Sequence, residues 1–510
     1  MVRAVGSGGK PGSRKGGVTP PTAVEDDSLD EAEKRGSKPK QAVVIVHGMG
    51  EQRPMETIRS FVQTVWSDDT GLTLPLHKGK RTRDPETKAE INKSWIRPDE
   101  RTQSQELRFI TTPVDINGRV TDFYELYWSD ITHGTTVDRL WAWVKGLLWR
   151  RWSDVPGDVK GLFVLVWVAV LLIVGPGVLA AVAKAFDWPS LFGLSAGIWA
   201  AIAAAMTAFV STVLAPYLGD VAIYVQAFPG TVAKRKEARE RGLALLQGLM
   251  DDEDYDRIVL VGHSLGTILA YDLLQLLWIK NCSTALDDDT RRVFEDIGEH
   301  ALPMDSGARA AIRWDVDKLK SFRRLQWAVY EALRGAPKDR SRWKISDFVT
   351  FGSPLTHAEF LLTRDQTDFY RSIEERLFST CPPVTEWAKK QTVLFPRDKL
   401  PKTPHHAAMF AATRWTNIYD RGNWVVTGDP VSGPMTGNFG PGVENIRVRL
   451  TWRFGRIFTH TTYWSRHASG KEVGKDGPWW KLRRAERIAG ARSHIQVLRD
   501  AVDLRRSLEP

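Results

Sequence analysis

Three short runs constrain the fold more than anything else in the chain: AVVIV (42–46), RIVLVG (257–262) and DFVTFG (347–352). Each is almost entirely branched or aromatic and shows no polar alternation. A strand wet on one face alternates apolar with polar residues. A continuous apolar run is covered on both faces, as in a parallel sheet flanked by helices. RFITTP (108–113) and RVTDFYELYW (119–128) are two further predicted strands, and WTNIYD (415–420) and VRLTW (448–452) are later ones. Between them, residues 234–250 form a charged helix that turns apolar at LALLQGLM, and SLGTILAYDLLQLLWI (264–279) has helical spacing. Strands alternating with helices give an α/β fold with a mostly parallel sheet. The acidic run DDEDYD (251–256) is expected as a solvated turn.

Two stretches stand apart. Residues 161–183 and 188–219 carry no charge, and only Lys184 and Asp187 are charged between them. About 20 apolar residues suffice for a helix to cross a bilayer, so the expectation is a transmembrane hairpin over 161–219. Lys145, Arg150, Arg151 and Lys160 precede it and Lys234, Arg235, Lys236, Arg239 and Arg241 follow it, whereas its loop carries only Lys184. The positive-inside rule puts both flanks, with everything attached to them, on the cytoplasmic side. Trp141, Trp143, Trp149 and Trp152, interleaved with these cations, suit a helix lying among headgroups.

The chain has 510 residues, with 71 Lys and Arg against 61 Asp and Glu, hence a formal net charge of +10. With 42% apolar and 26% charged residues it is neither wholly disordered nor collagen-like. Its two cysteines, Cys282 and Cys381, make neither a disulfide framework nor a cysteine-built zinc site. The positive charge clusters at the membrane flanks and in the C-terminal segment without a recognised nucleic-acid motif. Attraction to anionic headgroups is therefore the expectation, and nucleic-acid binding is not.

Gly262-His263-Ser264-Leu265-Gly266 follows a buried strand and opens a helix. This is the setting of a nucleophile elbow, a tight turn that lifts a serine hydroxyl above the sheet. The helix that begins there points its amide dipoles at developing negative charge. His47-Gly48-Met49-Gly50 follows the first strand. It suits the second half of an oxyanion hole, with Met49 and Leu265 supplying the backbone N–H groups. His47 itself precedes the serine and is not expected to be the catalytic base.

On these motifs the chain resembles the α/β-hydrolases of the lipase and serine-esterase kind, including the GPI inositol-deacylase-like lipases. The resemblance covers 41–66, 105–130, 215–280, 343–362 and 411–465. It implies a catalytic triad in the chain order serine, acid, histidine. Ser264 would be the nucleophile. Asp429, in a DPV stretch similar to the family's acid loop, would be the acid, with Asp420 as the alternative. His460 in RIFTHTTYW would be the base, ahead of His467 and His494, the latter expected to be exposed. Asp347 is read as a structural cap and Ser353 as part of a strand-exit turn. The His405–His406 pair lacks the carboxylate spacing of a metal site, and this chemistry needs neither a metal nor an organic cofactor.

The expected organisation is a disordered tail (1–40), a first hydrolase part with an interfacial helix (41–160), the hairpin (161–219) and the elbow part (220–280). A helical insertion that is either a lid or an ordinary packed insertion (281–342), the remainder of the hydrolase domain (343–470) and a basic C-terminal helix (471–510) follow. The last shows Ile488, Ile495, Leu498 and Val502 at near-helical spacing. The implied function is a membrane-anchored serine hydrolase acting on a lipid or amphiphilic ester. The alternative is a catalytically silent membrane-anchored binding or scaffold protein on the same fold. Protein partners are not specified by the sequence.

Overall fold

The computed structural model describes residues 40–48, 53–73, 81–84, 89–99, 101, 108–132, 149–155, 229–337, 339–386, 392–395, 402–422, 427–453, 455–456, 458–473 and 491–506, with isolated positions between 160 and 205. Outside them lie the tail expected over 1–40 except Lys40, nearly all of the hairpin expected over 161–219, Trp141, Trp143 and Met49. Among the described residues no helix is long and apolar enough to cross a membrane.

The strands in chain order are β1 (Lys40–Val46), β2 (Arg81–Arg83), β3 (Glu90–Asn92), β4 (Trp95–Pro98), β5 (Arg108–Thr111), β6 (Thr121–Leu126), β7 (Tyr255–His263), β8 (Ile345–Phe351), β9 (Arg414–Tyr419), β10 (Glu444–Thr451) and β11 (Ser469–Glu472). β2 and β3 form a separate ribbon, and the other strands make a nine-stranded sheet in the order β11-β10-β9-β8-β7-β1-β6-β5-β4. The run from β10 to β6 is parallel throughout. The outer strands β11, β5 and β4 are antiparallel. β4 was not foreseen, because WIRP is half exposed and carries no apolar run.

The three apolar runs sit at the middle of this sheet, and the period-2 geometry of a strand splits each between two cores. Ala42, Val44, Val46, Ile258 and Leu260 face one side, where they meet helices α2 (Pro229–Asp251), α3 (Gly266–Asn281) and α5 (Val316–Arg334). Val43, Ile45, Val259, Val261 and Val349 face the other, covered by α1 (Glu56–Val62) and α6 (His494–Val502). Burying one such side chain stabilises by roughly 1.5–3 kcal/mol, which is why apolar residues dominate both faces.

Segment 281–342, expected as a helical insertion, is helical. It contains α4 (Asp288–Gly298), packed on α5. α5 starts on a capping Asp315, whose side chain accepts from Lys318 N–H. It buries Phe322, Val329, Tyr330 and Leu333 in the sheet core. Its polar contacts reach strand beginnings: the Tyr330 hydroxyl donates to Asp256 O at 2.7 Å, and Arg323 donates to Trp415 O at 3.1 Å. The segment thus covers the sheet from the edge opposite Ser264. An apolar stripe in a sequence cannot distinguish a lid from a sheet-packing crossover.

That opposite edge is held by a buried ion cluster. Asp347, expected as a cap, lies within β8 and accepts from Arg257 at 2.7 Å and from Arg414. Arg257 also donates to Gln41 Oε1 at 2.9 Å, Ser346 Oγ at 2.9 Å and Asp503 O at 2.7 Å. It thereby fastens the end of α6 beneath the sheet. In α6, His494 is buried rather than exposed, because the helix turns it inward with Val497, Leu498 and Val502. Residues 474–490 of the expected C-terminal helix lie outside the described residues.

Candidate active site

The site forms where parallel strands end, because there the chain must leave the sheet and successive turns converge. β7 exits through His263 directly into α3, leaving Ser264 on the turn. Its φ is +53°, a left-handed conformation that a non-glycine residue adopts at a cost of about 1–3 kcal/mol. Several bonds hold it there. Ser264 N–H donates to Phe351 O at 3.1 Å, and Thr267 N–H donates to Ser264 O at 3.0 Å. The Thr267 hydroxyl donates to the same carbonyl at 2.7 Å. Having spent its proton, Thr267 Oγ1 accepts from Ser353 Oγ at 2.6 Å. Ser353, at the strand-exit turn, is therefore a support beneath the elbow.

The first strand's loop packs directly against this turn. A Cβ at Gly266 would lie 2.3 Å from His47 O, so only glycine lets the helix start pass so close. Gly48 is equally tight against Ser264, with 2.7 Å from its own ideal Cβ to that of the serine. His47 Nδ1–H donates to Gly48 O at 2.8 Å, and its Nε2 accepts from Trp128 N–H at 3.1 Å. The ring also stacks on Trp128. Burial pulls its pKa down to about 4, so it stays neutral. His47 is thus a latch between the loop and the exit of β6. Leu265 opens α3, where the first N–H groups of a helix have no intrahelical partner.

The histidine and the acid come from the other half of the sheet. After β10 the chain turns through Phe458, at φ +48°, into a one-turn 3-10 helix, Thr459–Thr461. This turn carries His460, which the structure brings to Ser264: Nε2 lies 2.8 Å from Ser264 Oγ. On its far side Nδ1 lies 3.0 Å from Asp429 Oδ1. Burial drives the Asp429 carboxyl upward, but His460, the Tyr463 hydroxyl and Val431 N–H outweigh it and bring it down to about 2. An ionised carboxylate only accepts, so the proton sits on Nδ1 and Nε2 is free to accept from the serine hydroxyl. Ser264, His460 and Asp429 are each buried.

Asp420, the alternative acid, is adjacent but differently engaged. It accepts from Leu450 N–H at 3.2 Å, from Arg456 at 2.9 Å and from the Thr459 hydroxyl at 2.8 Å. Its own carbonyl accepts Asp429 N–H at 2.7 Å. It therefore braces the acid loop and the turn bearing His460. His467 is exposed, and His405 is buried elsewhere, with Nε2–H donating to Val384 O at 2.9 Å. Among the described residues no group of three or more His, Cys, Asp or Glu could hold a metal ion.

Three contributors carry no strong sequence signal. His263 donates from Nε2 to His460 O at 2.9 Å and sits edge-on to Trp464. Burial takes its pKa down to about 3. Thr267 and Tyr463 stand three residues after Ser264 and His460 respectively. A spacing of three in a tight helical turn brings a side chain back over the turn's own start, which is the signal that could have found them. Comparison of the chain with protein-family models, with curated proteins and with solved structures gave no match.

Proposed function

We propose that this protein is a serine hydrolase on an α/β-hydrolase fold, cleaving carboxylic esters of lipid-like or amphiphilic molecules through an acyl-enzyme. The observation that carries the reading is the continuous chain Ser264–His460–Asp429, at 2.8 and 3.0 Å, ending on a serine held at positive φ between strand and helix. A serine hydroxyl in a structural role has no need of a strained backbone, an aimed imidazole and a buried anion behind it.

In the proposed reaction Ser264 Oγ attacks the ester carbonyl carbon as its proton passes to His460 Nε2. Asp429 stabilises the resulting imidazolium through Nδ1–H without taking the proton. The oxyanion is stabilised by Leu265 N–H and by a second donor from the 47–50 loop, for which Met49 is our candidate. His460 then protonates the departing alkoxide, leaving the acyl group on Ser264. Water repeats the sequence: its proton goes to His460, its oxygen to the acyl carbon, and Oγ leaves with the proton returned to it.

Support for an amphiphilic substrate comes from the charge-free stretches 161–183 and 188–219 and from the exposed Trp149 and Trp152 beside Arg150 and Arg151. We place the chain at a membrane through the 161–219 hairpin, with the catalytic sheet on the cytoplasmic side.

The test is reaction of the detergent-solubilised protein with a fluorophosphonate probe and with p-nitrophenyl esters of increasing acyl length. Wild type should label and turn over, and Ser264→Ala should do neither. Equal labelling of the two, or membrane binding without turnover of any ester, would favour a silent anchored scaffold instead.

A further inference from the structure

We infer that Tyr463 is a positioning residue that acts through Asp429, an inference that rests on the hydrolase reading above. A carboxylate can rotate about its Cβ–Cγ bond, and a histidine bonded to one oxygen does not by itself fix the other. Here the second oxygen is fixed: the Tyr463 hydroxyl donates to Asp429 Oδ2 at 2.7 Å. The phenol oxygen is itself fully engaged. It accepts from Asp420 N–H at 3.0 Å and pairs with Ser432 Oγ at 2.9 Å. A phenol has one proton, and an ionised carboxylate cannot donate. The Tyr463 proton therefore belongs to Asp429, and Ser432 must be a donor. The whole set has a single consistent hydrogen-bond polarity.

The placement of the tyrosine completes the argument. Tyr463 follows His460 by three residues, and Thr462 N–H bonds back to Thr459 O at 3.0 Å across the same turn. One small turn thus carries both the base and the group that orients the base's acid. The ring is wedged against Phe351, with centroids 6.0 Å apart, and lies edge-on to His263 at 6.3 Å. Both neighbours belong to the strand ends that hold Ser264. A shift of the turn would move the imidazole and the carboxylate clamp together, so the Nδ1–Oδ1 alignment is preserved as a unit. Without the hydroxyl, Oδ2 would be a buried anionic oxygen lacking its donor, free to compete with Oδ1 for His460.

The test uses the full-length protein in detergent with a p-nitrophenyl ester, and the variants Tyr463→Phe, Asp429→Asn and the double variant. Tyr463→Phe should lower kcat by about 10- to 100-fold, the scale of one lost hydrogen bond to a charged group, with KM within about 2-fold. Because the tyrosine acts through the aspartate, adding Tyr463→Phe to Asp429→Asn should cost almost nothing further. Wild-type kcat in Tyr463→Phe, or losses that multiply in the double variant, would overturn the inference. Should Tyr463→Phe fail to fold, Ser432→Ala removes one donor to the phenol while leaving the ring. A kcat loss at unchanged KM supports the clamp, and wild-type kcat contradicts it. An inert wild type would bring down the hydrolase reading and this one with it, whereas an active wild type matched by Tyr463→Phe would bring down this one alone.

Discussion

Asp429 and Asp347 occupy opposite edges of one sheet and invite comparison. Both are buried, and both are brought down to about 2 against the upward push of burial. Their partners differ. Asp347 faces Arg414 and Arg257, cations that do not lose their charge in a protein. Asp429 faces an imidazole, a phenol and a backbone N–H. A carboxylate clamped by guanidiniums has one state and serves to hold α6 to the sheet. A carboxylate paired with an imidazole, which can gain and lose a proton, can stabilise a charge that comes and goes. The same burial yields a rivet at one edge and the proposed reactive site at the other, and partner chemistry decides which.

The comparison is broken most sharply by neutralising each acid. Asp429→Asn should lower kcat/KM for an ester substrate by about 10⁴-fold, since the amide presents a donor and favours the wrong imidazole tautomer. Calorimetry should show a modest shift in thermal midpoint. If Asp420 were the operative acid, Asp429→Asn would retain most activity.

At the other edge the expected loss is of stability. Arg257→Met removes one of the two cations on Asp347 and the donor to Gln41 and the Asp503 carbonyl. Breaking a buried pair in this way costs about 3–5 kcal/mol. Urea unfolding should register that loss, while kcat per folded molecule stays at the wild-type value. A large fall in kcat with unchanged stability would mean that the two edges do not divide their work as described.

How much of this contrast could be read from the sequence depended on whether partners are local. The elbow was legible because strand, turn and helix are contiguous, and its glycines are explained by crowding: an added Cβ would lie 2.3 Å from His47 O at Gly266 and 2.8 Å from Thr267 Cα at Gly262. Ser264, His460 and Asp429 were nameable before any coordinates, through a resemblance that supplies their order, although only the fold shows that they touch. Asp347 was misjudged as a cap because Arg257 and Arg414 are far from it in the chain and meet it only through parallel strand pairing. His494 was misplaced because a basic helix hides which of its faces docks. Segment 281–342 reads equally as a lid or as a packed insertion, because amphipathicity reports that a face is buried, not what buries it.

The smallest expected effect separates the edges by pH. His47, held at about 4, and His263, held at about 3, lie beside Ser264, and His405, also at about 3, is buried elsewhere. Each is neutral when folded but takes a proton near pH 6.5 when unfolded. The unfolded chain therefore binds more protons, and stability falls as pH drops from about 6.5 toward about 4. Glu125, raised by burial to about 7, opposes this, since its folded form binds the proton first. Among the most strongly shifted groups that titrate in this range three outweigh one, so the thermal midpoint should be lower at pH 5.5 than at pH 7. Hydrogen exchange should loosen around 47–48 and 263–264 before it does around the arginines of the opposite edge. Uniform loosening, or a higher midpoint at pH 5.5, would contradict the assignment of neutral buried histidines to the Ser264 edge.

The most direct test is intact-protein mass spectrometry after treatment with a fluorophosphonate, followed by peptide mapping of the adduct. The account predicts one phosphonyl group per chain, on Ser264, formed rapidly in wild type and about 10⁴-fold more slowly in Asp429→Asn. An unmodified chain, or an adduct on any residue other than Ser264, would contradict it.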